Sequence, residues 1–208
     1  RKRNNGEGSF EETMRGIKLL QKHEIPFSAL TTVNNINMEH PLHVYRFLRE
    51  LTDYIQFLPV VERIDKETLA PFSVTPEGYG SFLCTIGDEW MTFDTGKINV
   101  QMFDITLGNL QGQASTLCVH NPVCGHSGSI EVNGDVYSCD RFAFPTFKLG
   151  NITKEPLYEI MEKNRNFGLH KTYGLANECF DCEYLKLCFG GCPKDRFDDK
   201  KNYLCNGY

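Results

Sequence analysis

Eight of the nine cysteines in this 208-residue chain fall between Cys118 and Cys205, and their spacing limits what that half can become. Cys118, Cys124 and Cys139 come first. Cys179-x2-Cys182-x5-Cys188-x3-Cys192 follows, and Cys205 closes the set. A tetrathiolate site needs four sulfurs brought to one point, so eight thiols suit two closed four-cysteine sites. Cys84, far upstream in an apolar segment, reads as a buried structural cysteine. Disulfides would need an oxidising compartment, yet no secretory segment is visible. Zinc and iron–sulfur clusters both take soft thiolates, and spacing alone does not choose between them.

Length and 40 % hydrophobic content allow one moderate domain or two small ones. A net charge of -5 argues against nucleic acid as a partner, since phosphate binding needs a basic footprint. No apolar run approaches the roughly 20 residues of a membrane span, so no membrane partner is expected. A reducing cytoplasm is the expected setting for nine thiols meant for metal.

The opening Arg1-Lys2-Arg3-Asn4-Asn5-Gly6 reads like the interior of a longer protein. Ser9-Phe10-Glu11-Glu12 has the form of a capping box, and the spacing of Phe10, Met14, Ile17 and Leu20 predicts an amphipathic helix over 10–23. Residues 25–33 read as a strand, and Pro41 starts a helix running to about Leu51. Residues 54–61 read as a strand whose continuous apolar character suits burial on both faces of a parallel sheet. Residues 62–80 read as loop, 81–93 as a helix with Phe82, Ile86 and Trp90 in register, and about 100–110 as another helix. Alternating helix and strand is half of an α/β array, and about 50 residues cannot close a barrel, so earlier strands are expected upstream.

Asn133-Gly134 is the preferred centre of a type I′ turn between alternating residues. That register sets Val132 against Asp135 and Gly128 against Cys139, returning Cys139 towards Cys124. Pro156 opens a helix to about Asn166. Asp140 follows Cys139 directly; beside a thiolate-ligated cluster, like charge and desolvation would raise its pKa and suit it to general-base work. The competing reading is a strand-ending aspartate paired with Arg141. With eight thiolates present, His120 and His126 read as outer supports or surface residues. Gly190-Gly191 indicates a tight turn, and Lys194, Asp195 and Arg196 a solvated or salt-bridged one.

Cys118-Val119-His120-Asn121-Pro122-Val123-Cys124-Gly125-His126, Asn133-Gly134-Asp135-Val136-Tyr137-Ser138-Cys139-Asp140, Leu149-Gly150-Asn151-Ile152, Cys188-Phe189-Gly190-Gly191-Cys192-Pro193-Lys194-Asp195-Arg196-Phe197 and Asn202-Tyr203-Leu204-Cys205-Asn206-Gly207-Tyr208 resemble the SPASM domain of radical S-adenosylmethionine enzymes. More narrowly, they resemble anaerobic sulfatase-maturating enzymes. Upstream, residues 6–62 resemble the later strands and helices of that family's partial (β/α)6 barrel. The resemblance implies an α/β fold: barrel residues 1–80, a helical connector 81–117, and a small cysteine-rich α+β SPASM domain with a β-hairpin over 118–208. One departure stands out, because the family's Cys-x3-Cys-x2-Cys motif is absent here.

By that resemblance, Cys118, Cys124, Cys139 and Cys192 would ligate a first auxiliary 4Fe-4S cluster. Cys179, Cys182, Cys188 and Cys205 would ligate a second. Asp140 falls at the family's general base, and Gln56 and Leu58 fall near its S-adenosylmethionine pocket. In the intact enzyme, with S-adenosylmethionine and a third 4Fe-4S cluster, a 5′-deoxyadenosyl radical would take hydrogen from the Cβ of a cysteine or serine. The product, in a sulfatase polypeptide, would be Cα-formylglycine; an electron donor such as flavodoxin or ferredoxin is the implied second partner. These 208 residues alone would supply electron transfer, the base and docking without turnover. Other readings are a SPASM enzyme forming thioether cross-links and a zinc-stabilised peptide-binding module.

Overall fold

The structure, a computed structural model, describes residues 3, 5–65, 68–125, 127–197 and 201–208. Its contacts draw two compact units, Arg1–Asp104 and Ile105–Tyr208. The boundary between them falls within the stretch 81–117 expected as a helical connector.

The first unit runs α1 (Phe10–Lys22), β1 (Ala29–Val33), α2 (Pro41–Arg49), β2 (Tyr54–Pro59), α3 (Pro76–Phe93) and β3 (Asn99–Val100); α4 (Gln101–Leu110) crosses into the next. β1, β2 and β3 form a parallel sheet in that order, with Leu30 beside Gln56 and Thr32 beside Leu58. Helix α1 forms where the apolar spacing predicts, but its capping box does not. Ser9 receives Thr13 through its backbone carbonyl, and Glu12 turns to Arg3 at 2.6 Å.

Helix α3 begins five residues earlier than its apolar spacing predicts. Thr75 is its N-cap, accepting from the Gly78 amide at 3.1 Å, and Pro76 occupies the first turn, where its missing N–H costs nothing. Gly78 suits the site despite its low helix propensity. A Cβ there would lie 2.8 Å from Met38 Sδ and 2.8 Å from Thr75 Oγ1.

The core of this unit lies between the sheet and α2 and α3. Ile55, Phe57, Tyr45, Tyr79, Phe82, Ile86 and Trp90 are buried there, and Phe57 meets Phe82 edge-on at 5.2 Å. Burial on β2 alternates instead of covering both faces: Tyr54 is 53 % and Leu58 41 % exposed. Alternate side chains point to opposite faces, and the helices of this unit cover only one.

The second unit holds β4 (Ser129–Ile130), β5 (Asp135–Tyr137) and β6 (Lys148–Asn151) as an antiparallel sheet. After it come α5 (Leu157–Glu162), α6 (His170–Tyr173), α7 (Asn177–Phe180) and α8 (Leu185–Cys188). The hairpin register is one residue away from expectation. Ser129 pairs Tyr137, Ile130 pairs Val136, and Glu131 rather than Val132 bonds Asp135. The Gly134 amide closes a turn on the Glu131 carbonyl at 2.8 Å, and Gly134 itself is left-handed at φ 84°. This is the three-residue loop in which a turn is followed by a left-handed residue. The Asn133 side chain selects it by accepting from the Asp135 amide at 3.0 Å. Val132 is left at the exposed tip.

Candidate metal centre

Backbone geometry carries the first three cysteines. Cys118–His120 form one 3-10 turn, and the buried Lys171 ammonium gathers the carbonyls around it: Cys118 at 2.6 Å, Val119 at 3.0 Å and Asn121 at 2.5 Å. Thr172 Oγ1 donates to the Pro122 carbonyl at 2.7 Å. Beside Cys124 the chain passes Gly168 so closely that a Cβ there would lie 1.7 Å from the Cys124 carbonyl oxygen. Asn164 then ties two arms together, its Nδ2 donating to the Gly125 and Ser138 carbonyls at 3.0 Å each. Cys139 follows Ser138, so this amide, not the hairpin alone, holds the Cys139 arm beside the Cys124 arm.

The remaining thiols sit on short helical turns. Cys179 lies on α7, the Cys182 amide bonds the Cys179 carbonyl, and Cys188 ends α8. Phe189, Gly190 and Gly191 are all left-handed, at φ 46°, 69° and 58°. The Gly190 amide points at Cys188 Sγ, 3.4 Å away. This is the tight turn that Gly190-Gly191 predicted, and side chains at either glycine would strike Leu175 or Asn202. Asn202 fastens the next arm, donating to the Cys192 carbonyl at 3.3 Å and accepting from the Leu204 amide at 2.9 Å.

The thiols influence one another in two sets. Cys124 and Cys192 both feel Cys118, and Cys139 feels Cys192. Cys188 feels Cys182 and Cys179, while Cys205 feels Cys188, Cys179 and Cys182. Burial, the largest cause in each case, pushes Cys124, Cys188, Cys192 and Cys205 above the usual thiol range. Burial and then the Asp140 hydrogen bond push Cys139 up to about 12. Buried sulfurs of this kind ionise readily only when a metal compensates the charge.

All nine cysteines are free, so the disulfide reading has no bond in its favour. A single zinc would draw its sulfurs to about 3.8 Å of one another, given tetrahedral bonds of ~2.3 Å. Among the described residues no three His, Cys, Asp or Glu side chains converge closely enough to hold one ion. Soft sulfurs beside a glycine turn, with the Gly190 amide aimed at Cys188 Sγ, suit a thiolate-bound cluster.

Asp140 is exposed and opens a 3-10 turn; it accepts the Cys139 thiol hydrogen at 3.0 Å. The desolvation expected of it is therefore absent, and so is the pairing with Arg141. That arginine binds Asp195 at 2.5 Å instead, joining the Cys139 arm to the Cys192 arm. Of the solvated or salt-bridged turn expected over 194–196, the salt bridge is found at the buried Asp195, while Arg196 is half-buried and Lys194 lies over the Phe144 ring at 5.5 Å.

His120 is buried rather than superficial. Its Nδ1 donates to the Leu187 carbonyl at 3.1 Å, and burial holds its pKa below the usual histidine value. Asn109 Nδ2 bonds the same Leu187 carbonyl and the His120 carbonyl, at 3.1 Å each. His126 lies outside the described residues. Cys84 is exposed, contrary to its apolar surroundings in sequence, because it falls on the outer side of α3. Gln56 is partly and Leu58 largely exposed, both on the sheet face turned from the helices. Lys171, Asn109 and Asn164 carried no sequence signal, since none belongs to a motif, whereas Asn202 opens one of the segments that carry the resemblance.

Residues 118–183 match the SPASM family, described as an iron–sulfur cluster-binding domain. The match covers most of the cysteine-rich half and includes five of its eight thiols. The whole chain is 46 % identical to the serine-type anaerobic sulfatase-maturating enzyme of Bacteroides thetaiotaomicron, the match covering all of this chain and 56 % of that protein. It is 28 % identical to the cysteine-type enzyme of Clostridium perfringens strain 13, over 98 % of this chain and 58 % of that one. The solved structure of native anSMEcpe with bound AdoMet and Cp18Cys peptide superposes with a TM-score of 0.84 at 29 % identity, covering 100 % of this chain and 60 % of that one.

The chain is similar to anaerobic sulfatase-maturating enzymes over its whole length and matches their C-terminal portion. It spans a little over half the length of the curated relatives it matches. Its fold is the later part of a radical S-adenosylmethionine partial barrel followed by a SPASM domain.

Proposed function

We propose that this chain is the cluster-bearing part of an enzyme that oxidises a cysteine or serine of a sulfatase polypeptide to Cα-formylglycine. The observation that carries the reading is the 46 % identity, over the whole chain, to a serine-type anaerobic sulfatase-maturating enzyme, and the mutual influence of the thiols supports it. In this reading Cys118, Cys124, Cys139 and Cys192 hold one auxiliary 4Fe-4S cluster, and Cys179, Cys182, Cys188 and Cys205 hold the other. Bound S-adenosylmethionine with a further 4Fe-4S cluster supplies the hydrogen-abstracting chemistry, and the auxiliary clusters accept an electron. Gln56 and Leu58, on the exposed face of the first sheet, are the cofactor-side residues of this stretch. A reducing cytoplasm suits nine free thiols, with a carrier such as flavodoxin or ferredoxin as electron donor.

Asp140 is the base. Its Oδ1 already accepts a thiol hydrogen, that of Cys139. Metal coordination removes that proton, because thiolate and not thiol is the ligand. The carboxylate oxygen is then open to the S–H or O–H of a substrate side chain, and its exposure lets a peptide reach it. Arg141, held by Asp195, leaves this carboxylate without a neutralising ion pair from the adjacent residue.

The test uses the intact protein, prepared anaerobically. Metal analysis should find iron and acid-labile sulfide; zinc in their place removes the reading. The variant Asp140→Asn should keep its iron yet lose on the order of 100-fold or more of aldehyde formation on a Cys-x-Pro-x-Arg peptide or its serine counterpart, followed by mass spectrometry. Undiminished turnover in that variant overturns the base assignment.

A further inference from the structure

Two cations in the second unit have only neutral partners. Lys171 is 1 % exposed, and its three ammonium donors all go to backbone carbonyls of the Cys118–Asn121 turn. Arg196 gives Nε to the Gly190 carbonyl at 3.1 Å, Nη1 to the Lys171 carbonyl at 2.6 Å and Nη2 to the Phe189 carbonyl at 3.4 Å. Among the described residues neither takes part in a salt bridge.

Carbonyl dipoles solvate a cation but do not cancel its charge, and a buried charge without a counter-charge is costly. The charge they face is that of the ligand sulfurs. Lys171 interacts with Cys124, Cys118 and Cys192, all of the first set, and burial lowers its pKa to about 8. Arg196 interacts with Cys179 and Cys188 of the second set and with Cys192 and Cys124 of the first. Its hydrogen bonds agree with that position, reaching both the turn between Cys188 and Cys192 and the Lys171 backbone.

We propose that Lys171 and Arg196 are counter-ions of the two auxiliary clusters, the buried Lys171 serving the first and the half-buried Arg196 bridging both. The inference rests on the cluster reading given above. A thiolate-bound cluster is net anionic, and cluster potentials respond to nearby charge. A fixed positive charge favours the added electron and raises the reduction potential. Arg141 also faces Cys192, and Lys201 faces Cys205, but each of these is paired with a carboxylate, Asp195 and Glu178. Of the two cations with neutral partners, both face the first set and one faces the second, so the pair biases electron flow towards the first cluster. Both are positioning residues in this scheme, acting through the clusters.

The experiment is a redox titration of the intact, anaerobically reconstituted protein, followed by electron paramagnetic resonance and accompanied by iron analysis. Lys171→Gln should lower the first potential by the equivalent of at least about tenfold in the one-electron equilibrium, ~59 mV, with a smaller change at the second. Arg196→Gln should lower both. Lys171→Arg and Arg196→Lys, which keep the charge, should stay near wild type, an outcome that loss of structure alone would not produce. Where Lys171→Gln loses iron, Arg196→Gln decides, since its half-buried side chain leaves the ligand turns their other ties. Full iron content with unchanged potentials in the glutamine variants overturns the counter-ion role. Equal shifts in the charge-keeping and charge-removing variants overturn it too. Wild-type protein without iron instead overturns the cluster reading beneath it.

Discussion

At the scale of single residues, the site is made by backbone approach as much as by sulfur. Gly168 is the sharpest case, because no side chain of any size fits against the Cys124 carbonyl. Gly168→Ala is expected to push the Cys118–Cys124 turn away, destabilising the second unit by about 3 kcal/mol. Iron content should fall preferentially at the first set. Gly16→Ala, on an exposed turn of α1 with nothing within 4 Å of its Cβ, is the matched control and should stabilise by ~0.5–1 kcal/mol. Chemical denaturation with parallel iron analysis reads both. The glycines at 190 and 191 could be recognised in sequence because they sit between cysteines. Gly168 could not, because its partner lies 44 positions away along the chain.

At the scale of elements, charged groups at the ends of helices tie the first unit together. Glu89 on α3 receives a two-pronged bond from Arg46 on α2, 2.7 Å on each branch, and a further one from Arg49 at 3.2 Å. The Arg46 guanidinium, the largest cause, holds the Glu89 carboxyl below the usual glutamate value. A depressed folded pKa contributes stability that is complete above the unfolded value of about 4.3 and lost as pH falls through the folded one. Glu89→Gln should therefore be less stable at pH 7, with the difference from wild type closing as pH falls below about 4. Trp90, the one tryptophan and buried beside Glu89, reports this unfolding by fluorescence. A constant difference between pH 7 and pH 3 would contradict the assignment. The α3 start and the hairpin register carry a related lesson. Thr75-Pro76 is a local signal, yet Gly78 and Gly80 just after it read as loop; the hairpin loop turned on one side-chain acceptor, Asn133.

At the scale of the molecule, the two units are stabilised differently. Among the described residues, fourteen of the twenty buried hydrophobic ones belong to Arg1–Asp104 and six to Ile105–Tyr208. Units of similar length with such unequal cores cannot rely on the same force, and in the cluster reading proposed above metal cross-links make up the difference in the poorer one. Removing iron with a chelator should strip hydrogen-exchange protection from residues 118–208 while β1, β2 and α3 keep theirs. Equal loss in both units would show that the metal is not what holds the second together.

The cysteine spacing, the Gly190-Gly191 turn and the apolar stripes of α1, α2 and α3 were all legible because they are periodic or local, and local physics repeats along a chain. The parallel sheet, too, followed from alternating helix and strand. What folding alone decided was long-range: which thiols come near one another, which face of β2 lies open, and that Lys171 and Arg196 turn inward. A lysine in a polar stretch looks the same whether it meets water or three carbonyls, since burial belongs to the assembled chain and to no single stretch of it.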